Sequence, residues 1–129
     1  MIKNFLYAGA ELDSASSNLL RKYHINGWKF YAHHMTIHFG ARTLPQYIED
    51  WLFKNEGKQF PLTIIAIGKS EKACALQVEM DDIPCSNNLR HITVSVAPNG
   101  KPVDSNNILD WHNIKPFTIL TTIKIYKKQ

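Results

Sequence analysis

A short pattern, His-x-Thr followed by an aliphatic residue, occurs twice in this chain and constrains its fold more than any other feature. The copies span residues 34–37 (His-Met-Thr-Ile) and residues 91–94 (His-Ile-Thr-Val). Successive side chains on a β-strand alternate between faces, so each copy presents its histidine and threonine together and its two apolar residues on the opposite side. The interval between the copies is long enough for about one helix and two or three strands. We therefore expect two similar half-sites that face one cleft.

Length, charge and cysteine content limit the class of protein. A chain of 129 residues with 44% hydrophobic content fits a single domain over residues 1–129 with its own core. The net charge of +4 favours anionic partners, although the basic residues are scattered. The two cysteines lack Cys-x-x-Cys spacing, and no apolar stretch is long enough for a signal peptide or a membrane span. We expect a reduced, cytoplasmic, monomeric protein with no membrane contact.

The order of predicted elements is strand-helix-strand-helix-strand-strand-strand-helix-strand, which is typical of the α+β class rather than of a parallel sheet. Asp13 or Ser14 is expected to cap the first helix, and Thr43 to cap the second, with Pro45 in its first turn and Gly57 after its end. Strands are expected at residues 4–9, 61–67, 73–79 and 117–126 besides the two histidine strands, with a loop at 81–88. A short third helix is expected from a cap at 104–106 through residue 111.

Two histidines that titrate near neutral pH can divide acid and base work between them. A neutral imidazole would take a proton from the nucleophile while a charged one gives a proton to the leaving group, which suits in-line attack at phosphorus. The hydroxyls of Thr36 and Thr93 would bond the non-bridging oxygens, with help from a nearby cation such as Arg42. This chemistry needs no metal and no other cofactor.

Other residues of the two strands are expected in lesser roles. His38 has an even offset from His34, so it should share the polar face as a supporting residue, and Ser95 holds the equivalent place in the second strand. His33 has an odd offset and should face away.

The paired motifs resemble those of the 2H phosphoesterase superfamily, and the likeness covers nearly the whole chain in motif order and predicted elements. Residues 90–94 (Arg-His-Ile-Thr-Val) followed by 101–106 (Lys-Pro-Val-Asp-Ser-Asn) are also similar to the cyclic phosphodiesterase domain of fungal tRNA ligases. The resemblance implies a bilobal fold in which two mostly antiparallel sheets form a central cleft with helices packed outside. It also implies that His34 and His91 are catalytic and that Thr36 and Thr93 bind substrate.

The family's members open 2′,3′-cyclic phosphates, trim RNA ends or cleave 2′,5′-linked oligonucleotides. The expected function is therefore metal-independent hydrolysis of 2′,3′-cyclic phosphates on RNA termini or small nucleotides, in RNA processing or repair. By resemblance, His91 activates water and His34 protonates the departing 3′ oxygen, which leaves a 2′-phosphate. Cleavage of 2′,5′-linked oligoadenylate is the alternative within the superfamily.

Two further interpretations come from other classes of protein. His34, His38 and His91 could form a three-histidine zinc site, although the threonines would then have no role. A non-catalytic RNA-binding module could instead stack bases on exposed aromatic residues, against the simpler expectation that these rings pack in the core. The aromatic candidates are Tyr7, Trp28, Phe39 and Trp111.

Overall fold

The computed structural model describes residues 2–87 and 89–129, so that Asn88 of the expected 81–88 loop lies outside the described residues. The strands are β1 (Phe5–Leu12), β2 (Lys29–Phe30), β3 (His34–Phe39), β4 (Gln59–Lys69), β5 (Ala73–Val78), β6 (His91–Val96) and β7 (Trp111–Lys127). The α-helices are α1 (Ser14–Leu19) and α2 (Gln46–Asn55), and 3-10 helices lie at Leu20–Tyr23 and Pro102–Asn107. The α+β class expected from the sequence is confirmed.

Six of the strands close into an antiparallel barrel. The pairing runs β1-β3-β6-β5-β4-β7 and returns to β1, while β2 adds to the far end of β6. Closure leaves these strands without a long unpaired edge. The two separate sheets expected from the sequence are joined into one, because β4 and β7 pair over most of their lengths.

The barrel has an internal correspondence between its halves. The two histidine strands, β3 and β6, are neighbours, and each has an outer partner, β1 for β3 and β5 for β6. The remaining strands, β7 and β4, pair with those outer partners and with each other. An exchange of β3 with β6, β1 with β5 and β7 with β4 therefore leaves the order of pairing unchanged.

The apolar faces of the two histidine strands are buried as the alternation predicts. Met35, Ile37, Ile92 and Val94 are wholly buried in the core. Helix α2 adds Ile48 and Leu52 to that core. Neither α-helix of the described chain has the length and apolar character that are needed to cross a bilayer.

The predicted N-terminal cap is confirmed for α1 and is wrong for α2. Asp13 caps α1, and its carboxylate accepts a hydrogen bond of 2.7 Å from the backbone N–H of Ser16. For α2, Pro45 is the capping residue and Thr43 makes no cap hydrogen bond. The expected Thr43 cap is wrong because the Thr43 hydroxyl bonds the ring of His38 instead.

The expected third helix through residue 111 is also wrong. The chain forms the 3-10 helix Pro102–Asn107, and Trp111 is already the first residue of β7. This strand is longer than expected because it continues past Pro116. The β4–β7 register shifts between Ile64 and Ala66, opposite residues 113–117, so the proline lies where the ladder is interrupted and no N–H is needed.

Candidate active site at the pair of histidine strands

The four residues of the two His-x-Thr motifs line one cavity of about 800 Å³, which we call the central cavity. His34 and Thr36 enter it from β3, and His91 and Thr93 from β6. All four side chains are half-buried, which leaves them accessible while most of their surface is removed from water. The geometry therefore brings together the two half-sites that the sequence predicted.

The register of the two strands explains why the half-sites meet. Met35 and Ile92, the middle residues of the two motifs, are direct partners across the antiparallel β3–β6 pair. On each strand the histidine and the threonine flank that paired residue and point to the other face. The four polar side chains therefore project into the same cavity.

Each half-site is followed by a β-bulge at the same position. In the β1–β3 pair the register moves from Thr36 to His38, which leaves Ile37 as the extra residue. In the β5–β6 pair it moves from Thr93 to Ser95, which leaves Val94 as the extra residue. The aliphatic residue after each threonine is thus the bulged one. Bulges bend a strand and redirect its side chains, and they are common beside functional sites.

A third irregularity precedes the first half-site and was not predicted. The N–H of Ala32 donates to the carbonyl of Thr93, whereas Met35 is already paired with Ile92, so His33 and His34 are extra residues on this strand. Ala32 is wholly buried and has a φ of 53°, a left-handed conformation that costs an L-residue free energy.

This irregularity overturns the expectation that His33 faces away. The His33 side chain is exposed and lines the central cavity beside His34. Simple alternation fails here because the strand pairing is interrupted between Ala32 and Met35. His33 is therefore unsuitable as an inert control for substitutions at His34.

The ring of His91 is oriented by the backbone. Its Nδ1 lies 3.1 Å from the carbonyl oxygen of Leu89. A carbonyl only accepts, so Nδ1 carries the proton and Nε2 is the acceptor of the neutral ring. Burial lowers the pKa of His91 from its ordinary 6.5, and the hydrogen bond to Leu89 partly offsets this. A neutral imidazole with a free Nε2 lone pair is suited to act as a general base.

The ring of His34 is held by packing. Its centroid lies 5.4 Å from that of Tyr7 on β1. Gly9 leaves room beside it, since a Cβ there would lie 3.0 Å from the Met35 carbonyl oxygen and 3.3 Å from Cδ2 of His34. Burial, and then the neighbouring His33, lower the pKa of His34 from 6.5.

Ser105 supports the second half-site and was missed at the sequence level. It lies in the 3-10 helix Pro102–Asn107, is 2% exposed, and its hydroxyl is 2.8 Å from that of Thr93. The bond fixes the Thr93 side chain at the cavity wall. Only its membership of the segment 101–106, quoted for the family resemblance, could have drawn attention to it.

His38 connects two loops at the cavity. Its Nδ1 is 2.9 Å from the Ser86 hydroxyl and its Nε2 is 3.0 Å from the Thr43 hydroxyl. Both the N–H and the hydroxyl of Ser86 in turn donate to the carbonyl of Ile37. His38 is 5% exposed and lines the cavity, as expected of a supporting residue. Both of its ring nitrogens are engaged, so neither is free to bind a metal or a phosphate.

Ser95 does not share the cavity, contrary to the sequence expectation. Ser95 is wholly buried outside the cavity, because β2 covers this part of β6 and Phe30 is the direct partner of Ser95. Its hydroxyl lies 2.7 Å from Nδ1 of His24 and accepts a 3.2 Å hydrogen bond from the N–H of Ile25. Ser95 thereby holds the segment before β2 against β6.

Arg42 and Arg90 do not line the cavity. Arg42 is exposed, and the expected contribution of this cation to the site is not seen in the cavity lining. Arg90, which precedes the second motif, is paired with Asp81. In the described chain the cavity lining contains imidazoles, hydroxyls, amides and apolar groups, without a Lys, Arg, Asp or Glu. Positive charge at the site must therefore come from imidazolium.

The other sequence candidates can now be placed. Among residues 2–87 and 89–129 no group of three or more His, Cys, Asp or Glu side chains has the geometry of a metal site. Of the aromatic candidates, Phe39 is 68% exposed and lines the central cavity, whereas Trp28 lines a neighbouring cavity that shares Tyr31 with it. Tyr7 stacks on Tyr126.

Comparison with known proteins adds no assignment. The chain matches no family model, and no curated protein matches it. The class of site rests on its geometry, which is a cavity that holds two oriented imidazoles and two hydroxyls from neighbouring strands.

Proposed function

We propose that this chain is a metal-independent phosphodiesterase of the 2H phosphoesterase type, and that it hydrolyses 2′,3′-cyclic phosphates at RNA ends or on nucleotides. The observation that carries the proposal is the pairing of Met35 with Ile92, because it sets the two His-x-Thr motifs side by side at one cavity. The correspondence between the two halves of the barrel is the basis for proposing the bilobal arrangement of that superfamily.

The hydrogen bond of His91 supports its role as the base, and His34 is then the remaining imidazole that can act as the acid. His91 accepts a proton from water at Nε2, because its Nδ1–H is committed to Leu89. The resulting hydroxide attacks phosphorus, and the bond to the 3′ oxygen breaks as His34, in its charged form, gives that oxygen a proton. Thr36 and Thr93 donate to the non-bridging oxygens. The product is a 2′-phosphate, and the proton gained by His91 must return to His34 before the next turnover.

Linear 2′,5′-linked oligoadenylate is the second candidate substrate. A linear diester joins two nucleosides through its phosphorus atom. In a 2′,3′-cyclic phosphate both ester oxygens belong to one ribose, so no second nucleoside is attached to phosphorus. A further cavity of about 320 Å³ shares His91 with the central cavity and offers room on that second side.

We also propose a monomeric protein of a reducing compartment. Both cysteines are free, and burial raises the pKa of the Cys85 thiol to about 11, so it stays protonated and unreactive at neutral pH.

The proposal is tested with purified protein and a chelator on a panel of 2′,3′-cyclic mononucleotides, RNA that ends in a cyclic phosphate, and 2′,5′-linked oligoadenylate. We expect hydrolysis of the cyclic phosphates, with chromatography of mononucleotide products against standards giving the 2′-phosphate. A 3′-phosphate product would reverse the roles of His34 and His91. RNA binding without turnover, unchanged in His91→Ala, would favour a non-catalytic binding module.

A further inference from the structure

A second cavity, which we call the Trp111 cavity, adjoins the central cavity at His91. It has a volume of about 320 Å³ and shares His91, Asn87 and Asn106 with the central cavity. A ligand held at His91 therefore has a second cavity directly beside it.

Trp111 forms a fixed aromatic wall of this cavity. Its indole N–H donates to the carbonyl of Ile108 at 3.1 Å. The ring also covers Gly68, where an added Cβ would lie only 2.5 Å from Cε3 of the indole. The ring is therefore held by a hydrogen bond at one edge and by backbone contact on one face, and it is half-buried. The ring also packs against the buried cluster of Ala73, Ala75 and Ile108, as expected of a core aromatic residue. The part of the ring that lines the cavity is therefore held rigidly and is suited to stacking a planar ring.

The polar groups of the Trp111 cavity suit a nucleobase. Asn87 and Asn106 lie at the junction of the two cavities, and a side-chain amide both donates and accepts hydrogen bonds, as base edges do. In the described chain no charged Lys, Arg, Asp or Glu lines this cavity.

A cavity on the other flank, past His34, has a different character. It has a volume of about 360 Å³ and is lined by the carboxylates of Glu11 and Asp13. Two carboxylates disfavour the approach of a polyanion such as RNA. Because the cavity beside His34 carries two carboxylates and the described lining of the Trp111 cavity carries none, we place the nucleic acid on the His91 side.

We propose that the Trp111 cavity binds a second nucleobase, so that the preferred substrate contains at least two nucleosides. The inference rests on the proposed function, since it places this base relative to a phosphate between His34 and His91. The base could belong to the nucleotide before a terminal cyclic phosphate or to the nucleoside across a linear diester. In either case the contact is the same, a planar base stacked on the indole of Trp111.

The test compares kcat/KM for a 2′,3′-cyclic mononucleotide, a dinucleotide that ends in a 2′,3′-cyclic phosphate, and a 2′,5′-linked dinucleotide. We expect Trp111→Leu to lower kcat/KM on one dinucleotide about 5- to 100-fold more than on the mononucleotide, as a lost stacking contact predicts. The dinucleotide that is affected identifies which base is bound. Trp111→Phe should retain most of the preference, because it keeps an aromatic ring. Trp51→Leu is the matched control, since Trp51 packs against Phe60 and lines neither the central cavity nor the Trp111 cavity.

An unchanged dinucleotide preference in Trp111→Leu, or an equal loss on all three substrates, would overturn the inference and leave the proposed function standing. If the wild-type protein hydrolyses no substrate, the proposed function fails. In that case, fluorescence titration of the protein with the 2′,5′-linked dinucleotide tests the second-base subsite independently of turnover. Binding that Trp111→Leu weakens would retain the second-base subsite, and binding that is absent or independent of Trp111 would remove it.

Discussion

Met35 of β3 lies directly opposite Ile92 of β6, and these two residues are the centres of the two His-x-Thr motifs. Both are wholly buried. The pair therefore fixes the strands from the core side, while the histidines and threonines that flank it meet on the cavity side.

The first prediction concerns this pair. Ile92→Ala should lower the free energy of unfolding by about 2–5 kcal/mol, because it leaves a cavity in a core that has no exposure to water. Ile92→Val, which removes one methylene, should cost about 0.5–1.5 kcal/mol. Urea denaturation monitored by fluorescence measures both. If Ile92→Ala lowered the free energy of unfolding no more than Ile92→Val does, then Met35 and Ile92 would not be tightly packed in the core.

The second prediction concerns the left-handed residue before the first half-site. Ala32→Gly relieves about 1–2 kcal/mol of backbone strain, but it loses a buried methyl group and adds freedom to the unfolded chain. We expect a net change in unfolding free energy within about 1 kcal/mol and retained turnover.

Ala32→Val is the matched opposite case. A β-branched side chain is strained at positive φ and has no space at a wholly buried position, so we expect a loss of at least about 2 kcal/mol. Turnover should fall as well, because His33 and His34 follow directly. Equal tolerance of glycine and valine would show that the residue is not held in the left-handed conformation.

The third prediction separates His38 from the two catalytic candidates. His38→Ala removes hydrogen bonds to Ser86 and Thr43 and a buried ring, so it should lower the free energy of unfolding by about 2–4 kcal/mol. At a temperature where the variant stays folded, turnover should remain within about tenfold, because neither ring nitrogen is free to reach substrate. A loss as large as that of His34→Ala would give His38 a direct role in the reaction.

The fourth prediction concerns the pH dependence of stability. The pKa values of His34 and His91 are both lowered from 6.5 in the folded state, mainly by burial. Below this pH the unfolded chain takes up protons that the folded chain does not, so the free energy of unfolding should decrease as the pH falls. Above the pKa of histidine in the unfolded chain, neither state takes up these protons, so the free energy of unfolding keeps its full value there.

Urea denaturation between about pH 5 and pH 7.5 measures the slope. His34→Asn with His91→Asn should make this slope shallower. An unchanged slope in the double variant would contradict the lowered pKa values. For the same reason the bell-shaped profile of kcat/KM in the free enzyme should have its optimum on the acidic side of 6.5, with limbs that belong to the pair of histidines.

The sequence predicted those features that depend on local alternation. The shared face of His34 and Thr36, that of His91 and Thr93, and the burial of the intervening residues all follow from the two-residue period of a strand. The Asp13 cap follows from the chemistry of a short acceptor side chain at a helix start.

The features that were missed depend on pairing between distant segments. His33 reaches the cavity because the β3–β6 pairing is interrupted between Ala32 and Met35. Ser95 does not reach it, because it is buried against β2 and bonds His24 in the segment before β2. Thr43 does not cap α2 as expected, because its hydroxyl forms a tertiary hydrogen bond with the ring of His38. Barrel closure likewise depends on the β4–β7 pairing, which leaves no local signal in either strand.

The most direct test of the account is a double-mutant cycle of His34→Ala and His91→Ala on a 2′,3′-cyclic phosphate in the presence of a chelator. Each substitution should lower kcat by about 10²–10⁴-fold, and the double variant should lose much less than the product, because the two imidazoles act in one step. His112→Ala is the control at an exposed position outside the cavity, and it should keep wild-type turnover. Near-wild-type turnover in His91→Ala, or losses that simply multiply, would contradict a mechanism in which the two half-sites work together.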